Sequence, residues 1–220
     1  MSETPTVNIN KVAKAVEEAK RLAKPRNFRQ SVELIIKLKD VDVRQPENRI
    51  NEIVTLPYKP NKDIKICVIA QGDLALKAKD AGADLVLSRD DVQKLGSNRR
   101  EVRKLAKEYT FFVAQADLMP LIGRLFGPIL GPRGKMPIPV PPTANVAPLL
   151  ERLKRSVRIR IRNQPQVMCI VGSEDMDSKE IAYNIDAVFE VLSRKYKVPY
   201  NIEKVYVKLS MGPAVSVDPW

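Results

Sequence analysis

The sequence contains no histidine, and this single absence excludes several kinds of chemistry. Without histidine the chain cannot form a Ser-His or Cys-His catalytic pair, a histidine general base or a histidine-based metal site. It has only two cysteines, Cys67 and Cys169, and both lie in apolar, strand-like runs where a small buried thiol is usual. These two cysteines provide neither a disulfide framework nor a metal-ligand spacing. We therefore predict no catalytic residues, no bound metal and no cofactor.

Long apolar stretches are missing as well. A membrane-spanning helix needs a run of about 18 apolar residues, and none occurs. No signal peptide is recognisable either. These absences predict a soluble, cytoplasmic protein that does not interact with a membrane.

What the sequence does have is a large excess of positive charge. Its 38 lysines and arginines face 26 aspartates and glutamates, which gives a net charge of +12. Such an excess favours a polyanionic partner, most often nucleic acid and less often an anionic membrane surface. The alternative is a basic protein without such a partner. Hydrophobic residues make up 44% of the chain, which is enough for a packed core.

Two kinds of hydrophobic pattern divide the chain. Both ends combine amphipathic helices with alternating strands, as at residues 8–24, 32–38 and 204–210. The middle alternates short, continuously apolar strands with helices, which is typical of a parallel sheet covered by helices on its faces. Neither end alone has enough strands for a stable sheet. The two ends are therefore expected to form one domain together.

This pattern predicts two domains of mixed α/β and α+β class. Residues 1–61 and 155–220 form a discontinuous, antiparallel α+β domain, and residues 62–154 form an inserted, Rossmann-like, three-layer parallel α/β domain. The linkers near residues 57–62 and 154–157 would then run side by side. Our hypothesis is that they form a hinge about which the two domains rock.

The segment of residues 120–142 is unusually rich in glycine and proline. Its seven prolines exclude a long helix or a central strand, and its apolar residues predict an ordered loop. It is not a Walker phosphate loop, because Ile129 stands where the first glycine is required and Met136 where serine or threonine is. Residues 131–134 fit the GXXG spacing of KH domains, but the neighbouring prolines disfavour that context. We retain this loop as a secondary candidate site, with Gly131, Arg133, Gly134 and Lys135.

Basic side chains alternate along three of the predicted strands. They are Lys37 and Lys39 on the first, Arg158, Arg160 and Arg162 on the second, and Lys204 and Lys208 on the third. If helices cover the apolar face of the sheet, the opposite face is strongly positive, and RNA is the favoured ligand. The alternative is a solvated face neutralised by Glu33 and Glu203.

Several motifs resemble the universal large-subunit ribosomal protein L1 family, the protein of the mobile stalk, in its archaeal branch. The loop GRLFGPILGPRGKMP at residues 123–137 resembles the family signature. Residues 204–207 leading into Ser-Met-Gly-Pro at 210–213 resemble its C-terminal motif, and residues 28–34 and 55–57 its N-terminal part. The resemblance covers nearly the whole chain, and the family has the split architecture argued above.

The resemblance implies a structural function rather than an enzymatic one. It implies binding to the stalk helices of large-subunit rRNA, chiefly by the split domain, together with release of exit-site tRNA and repression of translation through the protein's own mRNA. Off the ribosome the chain is expected to be monomeric. The alternative, an α/β enzyme that binds a nucleotide, is disfavoured because histidine, a phosphate loop and a metal cluster are all absent.

The resemblance also implies a set of residues that contact RNA. They are Phe28, Ser31, Glu33, Ser210, Met211, Gly212 and Pro213, to which the basic strands add Lys37, Arg158, Lys204 and Lys208. Ser210 stands where bacterial members have threonine, which keeps the hydroxyl, and Asn27 where they have lysine. Phe28 is either a stacking platform or a core residue beneath the site, and we favour the core residue.

Overall fold

The computed structural model describes residues 7–60 and 63–220 and divides into two compact units. One holds the described part of Met1–Lys62 together with Arg155–Trp220, and the other is Asp63–Lys154. The proposed boundary between residues 61 and 62, and the end of the proposed linker 57–62, lie outside the described residues. No helix in the described part of the chain is both long and apolar enough to cross a membrane.

The α-helices and β-strands are numbered here in chain order. The helices are α1 (Ile9–Leu22), α2 (Gly72–Asp80), α3 (Arg89–Gly96), α4 (Arg99–Glu108), α5 (Met119–Leu125), α6 (Gly127–Leu130), α7 (Ala147–Lys154) and α8 (Ser178–Ser193). The strands are β1 (Ser31–Leu38), β2 (Asn51–Thr55), β3 (Ile66–Ile69), β4 (Leu85–Leu87), β5 (Phe111–Gln115), β6 (Ile138–Val140), β7 (Ser156–Arg160), β8 (Gln166–Ser173), β9 (Ile202–Leu209) and β10 (Val215–Val217).

The main sheet of the first unit is antiparallel and joins distant parts of the chain. Its order is β10-β9-β1-β8, so that the N-terminal strand β1 lies between two C-terminal strands. Every second side chain of β1, from Val32 to Leu38, is buried, and α1 and α8 pack on that apolar face. The alternation predicted from the sequence is confirmed, and it leaves the polar side chains of β1 and β9 on the opposite face.

The arginine-rich strand β7 does not join the main sheet as expected but pairs with β2. β7 carries Arg158 and pairs antiparallel with β2 in a separate two-stranded sheet, with Arg158 opposite Ile53. Ile159 is buried while Arg158 and Arg160 are half-buried, so the predicted alternation within the strand is correct. The expectation that Arg158 lies on one sheet with Lys37 and Lys204 is wrong, because strand pairing depends on tertiary partners that alternation within one strand does not specify.

The second unit is a parallel α/β fold. Its sheet order is β4-β3-β5-β6 with all pairs parallel. The core between the sheet and α3–α6 contains Cys67, Phe112, Ile122 and Phe126, and α2 and α7 also contact β3. The predicted fold class, an antiparallel α+β part and a parallel α/β part with helices, is therefore confirmed.

The glycine- and proline-rich segment is not the loop that its composition predicts. It forms the short helices α5 and α6 and then β6, the fourth strand of the parallel sheet. The proline restriction is still obeyed, because α5 and α6 each have proline in their first two positions and β6 is an edge strand.

A buried asparagine holds the end of the first segment against α8. Asn184 is fully buried, and its Oδ1 accepts from the Tyr58 N–H at 2.9 Å. Its Nδ2 donates to the Tyr58 carbonyl at 2.9 Å and to the Val171 carbonyl at 2.8 Å. The Tyr58 and Tyr183 rings meet outside this contact with their centroids 6.0 Å apart. Tyr58 is therefore fixed to the first unit by hydrogen bonds.

Both cysteines are buried, as predicted. Cys67 lies in the core of the second unit and Cys169 in that of the first. Burial raises the pKa of each thiol to about 12, so both are protonated and unreactive at neutral pH.

Candidate nucleic-acid interface

One end of the antiparallel sheet brings the first polar residues of β1 to the end of β9. The Ser210 N–H donates to the Ser31 carbonyl at 3.0 Å, and the Ser210 hydroxyl donates to Glu33 Oε1 at 3.0 Å. Residues from opposite ends of the sequence therefore form one polar cluster, which we call the serine corner: Ser31, Glu33, Lys208, Ser210, Met211, Gly212 and Pro213.

Sequence reasoning missed Gln30, which holds this corner in place. Gln30 is 1% exposed, and its Oε1 accepts from the Met211 N–H at 3.1 Å. Its Nε2 donates to the Lys24 carbonyl at 3.2 Å, just beyond α1. The Gln30 N–H donates to Glu174 Oε1 at 3.0 Å, beyond the end of β8. A glutamine among exposed residues gives no sequence signal of burial, so only the structure reveals this role.

Two large apolar side chains are exposed here: Met211 of the serine corner, and Phe28, which precedes β1. Met211 is 57% exposed and Phe28 is 53% exposed. The interpretation of Phe28 as a core residue is wrong, because it lies in the connection between α1 and β1 and precedes the first buried position of the strand. An exposed ring in this place remains available for stacking.

Gly212 packs closely against Ala23, the residue that follows α1. A Cβ at this position would lie 3.1 Å from the Ala23 Cβ and 3.4 Å from the Leu209 Cβ. The Gly212 N–H donates to the Leu209 carbonyl at 2.9 Å, which closes the turn. Pro213 follows and is exposed. A side chain at 212 would therefore fit only if the Ala23 Cβ moved slightly.

Charges beside the corner are fixed by their neighbours. Arg29 contacts Asp175 at 3.2 Å, and the Ser173 hydroxyl also donates to Asp175. The Ser173 hydrogen bond, with a smaller contribution from Arg29, lowers the pKa of Asp175. Lys20 of α1 donates to the Met176 carbonyl, and burial lowers the pKa of its ammonium. The loop after β8 is thus tied to both α1 and the start of β1.

The open face of the sheet is not uniformly positive. Lys208 lies 3.9 Å from Glu33 at the corner, and Lys37 contacts Glu203 at 2.7 Å near the other end, where Lys204 stands opposite Lys37. The middle is apolar. It consists of Ile35 between Tyr206 and Met168 in register. The expectation of a strongly positive face is therefore wrong: positive charge lies at the two ends, partly neutralised by Glu33 and Glu203.

Arg158 lies on β7, in a different sheet from Lys37 and Lys204. Burial, followed by the neighbouring Arg160, lowers the pKa of its guanidinium. Arg160 and Arg162 line an open cavity of about 310 Å³ that reaches Gln166 and Met168 of β8. The sequence-predicted residues thus divide into the serine corner, the Lys37–Lys204 end of the same sheet, and the arginines of β7.

The secondary candidate loop has a structural explanation within the second unit. Lys135 Nζ donates to the Ala106 and Tyr109 carbonyls at 2.9 and 2.7 Å, which caps the C-terminal end of α4. A Cβ on Gly131 would lie 2.8 Å from the Gly127 carbonyl oxygen, and Gly134 has a φ of 69°. Arg133 is exposed. Three of the four residues therefore support the fold locally.

Comparisons with known proteins agree with these observations. The chain matches the model of the Ribosomal protein L1p/L10e family over residues 15–213. It is 53% identical over 207 residues to "Large ribosomal subunit protein uL1" of Methanothermobacter thermautotrophicus, covering 94% of this chain and 98% of that protein. The proteins of the same name from Methanocaldococcus jannaschii and Pyrobaculum arsenaticum are 54% and 48% identical over 204 and 211 residues, covering 92% and 96% of this chain and 93% and 95% of theirs. The resemblance drawn from the motifs is thus confirmed, and the chain belongs to the Ribosomal protein L1p/L10e family, whose members are ribosomal proteins and not enzymes.

Proposed function

We propose that this chain is a structural protein of the large ribosomal subunit that binds the stalk helices of its rRNA through the serine corner. One observation carries the proposal: two distant sequence segments, 28–33 and 208–213, are joined by hydrogen bonds into one polar, partly exposed cluster. The names of the relatives, all large-subunit ribosomal proteins, agree with it.

The chemistry of the corner suits the backbone and sugar edge of folded RNA. The Ser210 hydroxyl donates its proton to Glu33, so its oxygen lone pairs can accept from a 2′-hydroxyl. The Lys208 ammonium lies 3.9 Å from Glu33 and donates to the Ser210 carbonyl at 3.2 Å, and a phosphate can replace these contacts. Met211 and Phe28 are exposed and can pack on a sugar or a base. Glu33 in this scheme orients the hydroxyl and keeps the Lys208 ammonium nearby.

Contact with exit-site tRNA is proposed for the same protein, and the second unit offers a surface for it. Five cations of α4 are exposed: Arg99, Arg100, Arg103, Lys104 and Lys107. Of the two glutamates on this helix, Glu101 pairs with Lys104 at 3.0 Å and Glu108 with Lys65 at 2.8 Å. A basic helix of this kind binds phosphates without reading sequence, which suits a transient tRNA contact.

Replacing Ser210 with valine tests the proposal directly. We expect the dissociation constant of an rRNA stalk fragment to rise about five- to 150-fold, or about 1–3 kcal/mol, because Glu33 and the RNA hydroxyl each lose a buried partner. Ser210→Thr keeps the hydroxyl and should bind within about two-fold of the native chain. Binding of the valine variant at native strength would show that RNA is bound elsewhere.

Repression through the protein's own mRNA implies that the mRNA and the rRNA bind the same surface of the protein. We expect the mRNA leader and the rRNA stalk fragment to compete for one molecule of protein, and Ser210→Val to weaken both by the same factor. A competition titration with one labelled and one unlabelled RNA measures this. Simultaneous binding of both RNAs to one chain would contradict a common site.

A further inference from the structure

The end of the antiparallel sheet opposite the serine corner carries an aromatic ring that packing does not explain. Tyr200 is 62% exposed, more than any other large apolar or aromatic side chain in the described chain. It lies just before β9, at the end of β1. The Lys39 ammonium stands over its ring, 5.3 Å from the centroid. Although Lys39 covers part of the ring, the residue stays largely exposed, so ring surface remains accessible to a planar ligand.

The backbone beneath this ring is held rigidly by an asparagine. The Lys39 N–H donates to the Asn201 carbonyl at 2.9 Å, and Asn201 Nδ2 donates to the Lys39 carbonyl at 3.2 Å. Asn201 Oδ1 accepts from the Lys197 N–H at 2.9 Å. The buried Tyr196 donates its hydroxyl to the Asn48 carbonyl at 2.7 Å. Tyr200, Lys39 and Lys197 are therefore presented on a preorganised frame, which lowers the entropic cost of binding.

An open cavity of about 290 Å³ adjoins the ring. Its wall includes Tyr200, Lys197, Lys195 and the Asp40 and Asn48 side chains. Lys195 donates to the Arg49 carbonyl, and Lys39 and Lys197 are exposed. This space is large enough for a base with part of its sugar. Lys197 lines it, and Lys39 stands over the ring.

Tyr200 and Lys39 lie at the opposite end of β1 from the serine corner. Lys39 directly follows Leu38, the last residue of β1, and it is exposed. Eight residues separate Ser31 from Lys39, which corresponds to about 26 Å along a strand. The ring therefore lies well beyond the reach of a single nucleotide seated at the serine corner.

We propose that Tyr200, Lys39 and Lys197 form a second RNA contact, which binds an unpaired nucleotide by stacking its base on Tyr200 and pairing the adjacent phosphates with the two lysines. Base stacking on an exposed aromatic ring is independent of sequence, and lysines bind phosphate as point charges. A base-paired nucleotide is already stacked between its neighbours and cannot use the ring. The ligand is thus single-stranded RNA rather than a duplex, and rather than an acidic peptide, which offers no planar group to the ring.

The test uses the intact chain and a fluorescein-labelled octauridylate, with binding followed by anisotropy over a series of salt concentrations. We expect Tyr200→Ala to weaken binding about ten-fold without changing the salt dependence, and Tyr200→Phe to bind as the native chain does. Lys39→Gln and Lys197→Gln should each reduce the slope of log Kd against log salt by about 0.7, the value for one phosphate contact on a single strand.

Two matched controls lie on the helices of the same unit. Tyr183→Ala removes another exposed tyrosine on α8, and Lys14→Gln removes another exposed lysine on α1. Neither should change affinity or salt slope. If Tyr200→Ala binds no differently from Tyr183→Ala, the proposal is wrong. It is also wrong if an RNA duplex of equal length depends on Tyr200 to the same extent, or if a labelled octaglutamate binds more tightly than the octauridylate and requires Tyr200. Unchanged melting temperatures of the variants confirm that the comparison is between folded chains.

Discussion

Replacing Asn184 with leucine should lower the free energy of unfolding of the first unit by about 4 kcal/mol. The side chain makes three hydrogen bonds in a fully buried position, two to Tyr58 and one to the Val171 carbonyl. Leucine keeps the branching at Cγ but has no polar atom, so the loss comes mainly from polarity: three backbone groups lose their partners, at about 1–3 kcal/mol for each that stays buried. Because Tyr58 is partly exposed, water recovers some of this loss.

Chemical denaturation followed by tryptophan fluorescence measures this loss of stability in the first unit. Trp220 is the single tryptophan of the chain, and its ring packs edge-on against Phe189 of α8 with a centroid distance of 5.4 Å. Its signal therefore reports the first unit. Asn10→Leu, on the exposed side of α1, is the matched control and should change stability by no more than about 0.5 kcal/mol. An equal effect of the two substitutions would contradict a structural role for the Asn184 hydrogen bonds.

Replacing Gly172 with alanine should cost about 3 kcal/mol, because there is no room for a methyl group between β8 and α8. A Cβ at this position would lie 2.8 Å from Ile181 Cγ1 and 3.2 Å from Met176 Sδ. Contacts this short force the helix and the strand apart, which is the ordinary cost of overpacking a core. Ile181 is itself fully buried, so Ile181→Ala should cost about 3 kcal/mol through the cavity it leaves.

The double variant distinguishes a local clash from a general defect. In Gly172→Ala/Ile181→Ala the new methyl group occupies space that the shortened side chain has vacated. We expect a total loss of about 4 kcal/mol instead of the additive value of about 6. The same tryptophan signal measures all three variants. Strict additivity would show that the two positions do not compete for one volume.

Much of the fold could be predicted because hydrophobic periodicity depends on local sequence. The alternation along β1 and the continuous apolar run of β3 both form the strands that they indicate. Asn8 begins α1 as its N-cap, with its Oδ1 accepting from the Lys11 N–H at 3.1 Å. These features require no knowledge of distant partners.

The predictions from sequence fail where the structure depends on contacts between distant parts of the chain. The pattern of β7 specifies two faces but not that its neighbour is β2, so it does not reveal that Arg158 lies outside the sheet of Lys37 and Lys204. The glycines and prolines of residues 120–142 suggested a loop, but packing of Ile122 and Phe126 into the second core makes short helices favourable there. The burial of Gln30 and the exposure of Phe28 likewise depend on how α1 and β8 approach the start of β1.

Because both native thiols are buried, the folded chain should not react with maleimides or other cysteine reagents. A single cysteine introduced at an exposed position would therefore be the only one to react, without prior removal of Cys67 or Cys169. One such cysteine in each unit would accept a donor and an acceptor dye. Single-molecule energy transfer between them could then follow the separation of the units in an otherwise native background, with and without RNA.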